Sequence, residues 1–219
     1  MNLLYKVYFG LLLITLASYI TIAVRNNAQY IKMVILLMIL WLLTSTTAIF
    51  LSNYVGWKNN LFIFHISTPL EYVILCLLYR DAIDNTGIKR MICISIPLYI
   101  VVCILFSLFV QKLDADNSYV VIIESVMLIF ISLFFLREIL LLQQVPVLHR
   151  FPMFWICVGI LFYYTGNLII EGMLNYMINH SMKLALRTYR LGYIFKYLLF
   201  VLFIIGAVYS RYSARIKNV

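Results

Sequence analysis

Acidic residues are scarce in this chain, which has only 8 Asp and Glu, against 17 Lys and Arg, among 219 residues. Charged residues make up 11% and hydrophobic residues 65% of the sequence. A soluble domain has about 25% charged and roughly 45–50% apolar residues. A soluble fold of this length could not cover so much apolar material with a polar surface. The composition therefore predicts an integral membrane protein in contact with the lipid bilayer.

Motifs for metal binding, disulfide bonding and hydrolysis are also missing. The four cysteines lie singly in apolar runs, without a CxxC pair, and there are only 3 histidines and no HExxH or GxSxG motif. We interpret the cysteines as buried thiols that act as small hydrophobic residues. The sequence therefore predicts no cofactor and no metal site, and it favours a protein that is not an enzyme.

The formal charge of +9 does not indicate nucleic-acid binding, because the basic residues are spread one to three per connection. This spacing is typical of membrane-topology signals and of attraction to anionic lipid. We therefore expect no direct contact with nucleic acid.

Seven apolar segments are long enough to cross about 30 Å of hydrocarbon. They span residues 4–24, 31–51, 61–78, 91–110, 119–136, 151–174 and 191–209. The connections are too short for a soluble domain, and we expect the first segment to be retained as a helix and not cleaved as a signal peptide. The predicted fold is an all-α bundle of seven transmembrane helices in a single domain, 1–219.

The distribution of Lys and Arg predicts the orientation of the bundle. With the amino terminus outside, ten basic residues flank the helices on the inner side and six on the outer side. Positive charge accumulates on the cytoplasmic side of membrane proteins. The sequence thus favours an N-out, C-in protein of the bacterial inner (plasma) membrane.

A small set of polar residues lies within the apolar segments, where ionisable groups are costly and normally face the bundle interior. A rise of 1.5 Å per residue places all of the ionisable ones in the outer half or near the middle of the bilayer. Residues three apart lie on the same face of a helix, so Tyr164 shares a polar face with Asn167 on helix 6, and Tyr193 shares one with Lys196 on helix 7. The predicted ligand-binding residues are Glu71, Glu124, Asn167, Glu171, Lys196, His65, Tyr164 and Tyr193.

Within this predicted pocket, Lys196 is placed to neutralise either Glu171 or Glu124. Three glutamates outnumber the one lysine, so at least two acids would need water, a proton, a cation or a ligand. The polar cluster can instead be structural, because interhelical polar contacts also hold membrane bundles together.

The stretches STPLEYVIL (67–75) and YYTGNLIIE (163–171) give the chain a resemblance to known seven-helix proteins. The chain resembles the seven-transmembrane sensor modules found in front of bacterial histidine kinases, and also small uncharacterised seven-helix proteins of Bacteroidetes-like bacteria. Such a resemblance implies an outward-facing sensory pocket. Because only residues 211–219 follow helix 7, we expect no output domain.

The leading hypothesis is a non-enzymatic membrane sensor or membrane subunit that signals through a separate effector protein on the inner side. Two alternatives stay open: an enzyme or transporter for a lipid or small polar substrate, and an accessory protein whose polar cluster is purely structural. Assembly into an oligomer is compatible with all three.

Overall fold

The computed structural model of the protein describes residues 3–24, 26–55, 60–141 and 148–216. This part of the chain contains seven α-helices and no strand. They are α1 (Leu3–Ala23), α2 (Gln29–Phe50), α3 (Phe62–Ala82), α4 (Thr86–Phe109), α5 (Ser118–Leu141), α6 (Pro152–His180) and α7 (Met182–Ile216). All seven are long and apolar enough to cross a membrane. The predicted all-α, seven-helix fold is confirmed.

Several helices extend beyond the predicted apolar segments. The largest difference is in α7, which begins at Met182 where the prediction began at 191, and continues to Ile216. The added residues include Lys183, Arg187 and Arg190, which end an apolar run but favour helix. A hydropathy pattern therefore locates the membrane-spanning part, whereas helix propensity sets where the helix ends.

Six of the helices form a closed ring. Neighbouring pairs in the ring are α1–α2, α2–α3, α3–α5, α5–α6, α6–α7 and α1–α7, while α4 packs on α3 and α5. The α1–α7 contact is parallel, because the Tyr197 hydroxyl donates to the Leu4 carbonyl (2.8 Å) and the Tyr19 hydroxyl donates to the Phe203 carbonyl (3.0 Å). Helix α4 thus lies outside the ring.

We call the end of the bundle at which α1, α3, α5 and α7 begin the cavity end. The half away from it is joined by tyrosine hydroxyls that reach neighbouring helices. Tyr79 contacts Ser132 Oγ at 2.7 Å, and Tyr30 contacts Ser210 Oγ at 2.7 Å. Buried polar groups are stable in such a setting only when they are hydrogen-bonded, as these are.

Helices α6 and α7 pack tightly against each other at Gly166. The ring of Phe195 lies against the backbone there, and a Cβ atom on residue 166 would overlap it. One turn and a half further on, Gly172 has nothing within 4 Å of the position that its Cβ would take. Gly159 also packs closely on α7, since its Cβ position lies 3.2 Å from Leu199 Cδ1, so the α6–α7 pair uses small residues at both 159 and 166.

Candidate functional site

A cavity of about 350 Å³ lies inside the six-helix ring, toward the cavity end. Every ring helix contributes to its wall, and α4 does not. The charged lining residues are Glu71, Asp116, Glu124, Glu171 and Lys196. The other lining residues are Tyr8, Trp41, Thr44, Ser45, Leu61, Phe64, Ser67, Thr68, Asn117, Val121, Tyr163, Asn167, Tyr189 and Phe200. Four acids and one base therefore face one common cavity.

The carboxylate of Glu71 is held by donors from two other helices. Trp41 Nε1 on α2 donates to Oε2 at 2.9 Å, and the Tyr164 hydroxyl on α6 donates to Oε1 in a very short hydrogen bond. Hydrogen bonds to a charged acceptor are stronger than neutral ones. Glu71 is thus fixed in position and connects α2, α3 and α6.

The carboxylate of Glu124 has a different environment. Its side chain is only 2% exposed, and its Oε1 has no hydrogen-bond partner among the described residues. A buried polar atom without a partner costs free energy. Glu124 lines the cavity, so a donor bound there could approach its carboxylate.

Lys196 does not form the predicted ion pair with Glu171 or Glu124. Its Nζ lies 5.8 Å from the centre of the Tyr8 ring, within the range of a cation–π contact. Among the described residues, the only ion pair joins Arg80 to Asp81, at 2.9 Å. Lys196 is still attracted electrostatically by Glu71 and Glu171 without contacting them, and α1 supplies an aromatic face for the ammonium group.

Asn167 and Glu171 line the cavity one turn apart on α6, near its opening at the cavity end. Asp116 lies opposite, in the connection between α4 and α5, and partial burial raises the pKa of its carboxyl while the nearby His65 lowers it. The connection is tied to α3, since Asn117 Nδ2 donates to Thr68 Oγ1 at 2.9 Å. Two acids, Glu171 and Asp116, thus lie at the opening of the cavity, and the connection that carries Asp116 is held in place by α3.

The other three predicted residues lie elsewhere. His65 points away from the cavity, and its two ring nitrogens contact Ser107 Oγ (2.8 Å) and the Ala115 carbonyl (3.0 Å). Because a carbonyl can only accept, Nε2 carries a proton and donates a hydrogen bond to the Ala115 carbonyl. His65 therefore fastens α3 to α4 and to the connection that follows α4.

Tyr164 and Tyr193 are buried beside the cavity and do not line it. Tyr164 supports Glu71 from behind. Tyr193 belongs to an aromatic cluster, with ring centres 5.6 Å from Tyr5, 6.2 Å from Tyr8 and 6.0 Å from Tyr189. Both are packing and positioning residues.

Sequence reasoning missed four important lining residues: Tyr8, Trp41, Asp116 and Asn117. The first two sit in apolar runs, where an aromatic residue is typical of a core or a lipid-facing surface. The last two sit in a connection that looked solvated. A signal for Trp41 existed, because an indole N–H within a membrane span needs an acceptor.

The described residues contain no group of three or more His, Cys, Asp or Glu side chains that could hold a metal ion. Comparisons with protein-family models, curated proteins and solved structures find no match for this chain. We therefore infer function from the cavity itself.

Proposed function

We propose that this integral membrane protein is a non-enzymatic sensor or membrane subunit that binds a small polar ligand in the cavity and signals through a separate protein. The observation that carries the proposal is a cavity lined by four acids and one lysine that form no direct ion pair within the described part of the chain. Charges in a low-dielectric interior are retained only when something compensates them. A bound ligand supplies that compensation.

The volume limits the ligand to a small molecule. Ligand pockets typically measure roughly 300–1,000 Å³, so about 350 Å³ is near the lower end of the range. A lipid tail or a peptide would also need a wholly apolar or an extended groove, whereas four acids, two amides and several hydroxyls face this cavity together with aromatic side chains.

The arrangement of the side chains supports binding over chemistry. A Ser, Thr or Cys side chain becomes a nucleophile when a His, a Lys or a carboxylate accepts its proton. Among the described residues, no Ser, Thr or Cys side chain that faces the cavity has such a hydrogen bond. His65, the one histidine near the cavity, is engaged by Ser107 and Ala115.

Glu71 offers a route for a signal. A ligand that competes with Trp41 or Tyr164 for this carboxylate would change the contacts among α2, α3 and α6 together. A ligand shifts a conformational equilibrium only by its differential affinity for the two states. Because three helices meet at the Glu71 carboxylate, a ligand that binds there would have different affinities for the conformation with these contacts and the conformation without them.

The test is to fill the cavity without changing its charge. Thr44 lines the cavity and its hydroxyl donates to the Leu40 carbonyl at 2.8 Å. Thr46 makes the equivalent bond to Leu42 at 2.7 Å but faces outward. Thr44→Phe should therefore block the site, and Thr46→Phe is its matched control.

Both variants and the unmodified protein are purified in mild detergent, and native mass spectrometry measures the small molecules that co-purify. We expect a bound species in the unmodified protein and in Thr46→Phe, and its loss from Thr44→Phe. The proposal fails if Thr44→Phe folds and carries the same species as the unmodified protein, or if no protein carries one.

A further inference from the structure

We propose that the cavity selects small organic compounds with a protonated primary amine, and that Glu124 binds the ammonium group. This inference rests on the proposed function and names its ligand class. Two independent observations carry it: the excess of acids around the cavity, and a buried carboxylate oxygen that lacks a hydrogen-bond donor.

The charges of the lining residues favour a cation. Four carboxylates face the cavity and one ammonium, that of Lys196, faces it with them. Lys196 lies over the Tyr8 ring and contacts no carboxylate of the described chain. This excess of acids attracts a cation and repels an anion.

The hydrogen bonds distinguish two of the four lining acids. Both oxygens of Glu71 already accept, from Trp41 and Tyr164, whereas Oε1 of Glu124 accepts from no described residue. Glu124 is 2% exposed and lines the cavity, so the cavity is the space from which a ligand can approach its carboxylate. The missing partner is thus an N–H or O–H donor delivered from inside the cavity.

The lining favours an organic ammonium over an inorganic ion. Tyr8, Trp41, Tyr163 and Phe200 give the cavity aromatic faces, which attract organic cations. An ammonium group also donates along a defined N–H direction, as an unpartnered carboxylate oxygen requires. A quaternary ammonium would satisfy the aromatic faces but not Glu124, because it has no N–H.

A set of four probes separates these properties. Ethanolammonium is the primary amine, ethylene glycol is its neutral analogue of the same size, tetramethylammonium is a cation without N–H, and potassium is an inorganic cation. Each is titrated as the chloride salt, or as the diol, into the purified full chain at constant ionic strength, and isothermal titration calorimetry reports the binding of all four.

We expect ethanolammonium to bind saturably, and the other three to bind much more weakly or not at all. Glu124→Gln keeps the shape and removes the charge, and should weaken ethanolammonium binding by about 10- to 100-fold, the effect of losing a charge-assisted hydrogen bond. Thr44→Phe, which changes no charge, should abolish it.

Glu138→Gln is the matched control. Glu138 lies on the same helix, about 21 Å away, and also has a buried oxygen without a partner among the described residues. It does not line the cavity. We expect Glu138→Gln to bind ethanolammonium as the unmodified protein does.

The amine proposal is overturned if ethylene glycol, tetramethylammonium or potassium binds as well as ethanolammonium, if Glu124→Gln binds normally, or if ethanolammonium does not bind. If ethanolammonium fails but a molecule still co-purifies in a manner that depends on Thr44, the ligand class alone is wrong. If both fail, the cavity is no ligand site.

Discussion

At the scale of single residues, the two glutamates nearest the middle of the bundle have opposite roles. Glu71 is fixed by two donors from neighbouring helices, whereas Glu124 has an oxygen without a partner in the described chain. A fully bonded carboxylate stabilises the helices that it joins, and an open one costs stability until a donor arrives. Glu71 thus stabilises the fold, whereas Glu124 is available to bind a ligand.

The contribution of the Tyr164 hydroxyl can be measured directly. Tyr164→Phe leaves Oε1 of Glu71 without its donor, and we expect a loss of about 1–3 kcal/mol in the free energy of unfolding in detergent micelles. Tyr163→Phe is the control, because the hydroxyl of the adjacent Tyr163 donates no hydrogen bond to a described residue. Equal effects of the two variants would show that Glu71 does not depend on Tyr164.

Residue-scale reasoning from the sequence worked where the signal was a polar group in an apolar run. Glu71, Glu124, Asn167, Glu171 and Lys196 stand out in that way, and the structure brings all five to one cavity. His65 stands out equally, yet its partners are Ser107 and Ala115, far along the chain. The direction of a side chain depends on neighbours that periodicity does not identify.

At the scale of helices, Gly166 makes the tightest contact of the described glycines between α6 and α7. Phe195 occupies the space that a side chain at Gly166 would need, so its ring packs directly on the backbone of α6. Small residues permit such contacts in membranes, where the lipid supplies no hydrophobic drive for helix association. Lys196 directly follows Phe195, so this contact also sets the direction of the cavity lysine.

Gly166→Ala should therefore destabilise the protein despite the better helix propensity of alanine. We expect overpacking to cost about 1–3 kcal/mol, whereas Gly172→Ala, at an open position of the same helix, should be neutral or stabilise by up to about 1 kcal/mol. Thermal unfolding of both variants in detergent measures the difference. A Gly166→Ala variant as stable as Gly172→Ala would contradict the close contact.

Hydropathy predicted the number and order of the helices but not their ends. Asn85 accepts from the Ile88 amide at 3.1 Å and starts α4 ahead of the predicted 91. Glu138 accepts from the amides of Asp84 (2.7 Å) and Asn85 (3.0 Å), so α5 also continues past the predicted 136. Capping contacts of this kind depend on local side chains that an apolar window does not register.

At the scale of the whole molecule, the distribution of basic residues predicts which side of the membrane the cavity faces. With the amino terminus outside, the cavity end lies outside, and the connection between α3 and α4 lies inside. This orientation determines whether the ligand comes from the surroundings or from the cell interior.

Single cysteines test the orientation. Of the four native cysteines only Cys93 is exposed, so it is replaced by serine. We then expect Lys112→Cys, at the cavity end, to react with a membrane-impermeant maleimide in intact cells, and Asp84→Cys to react only after lysis. The reverse pattern would establish the opposite orientation.

Helix α4 stands apart from the ring that encloses the cavity. Its outward face is a nearly continuous strip of exposed aliphatic side chains, and only Ile92, Tyr99 and Cys103 are buried. Lipid accepts one aliphatic residue as readily as another. Most residues of α4 can therefore be replaced by other aliphatic residues without loss of packing. We expect related sequences to be similar in the ring helices and to differ most in α4.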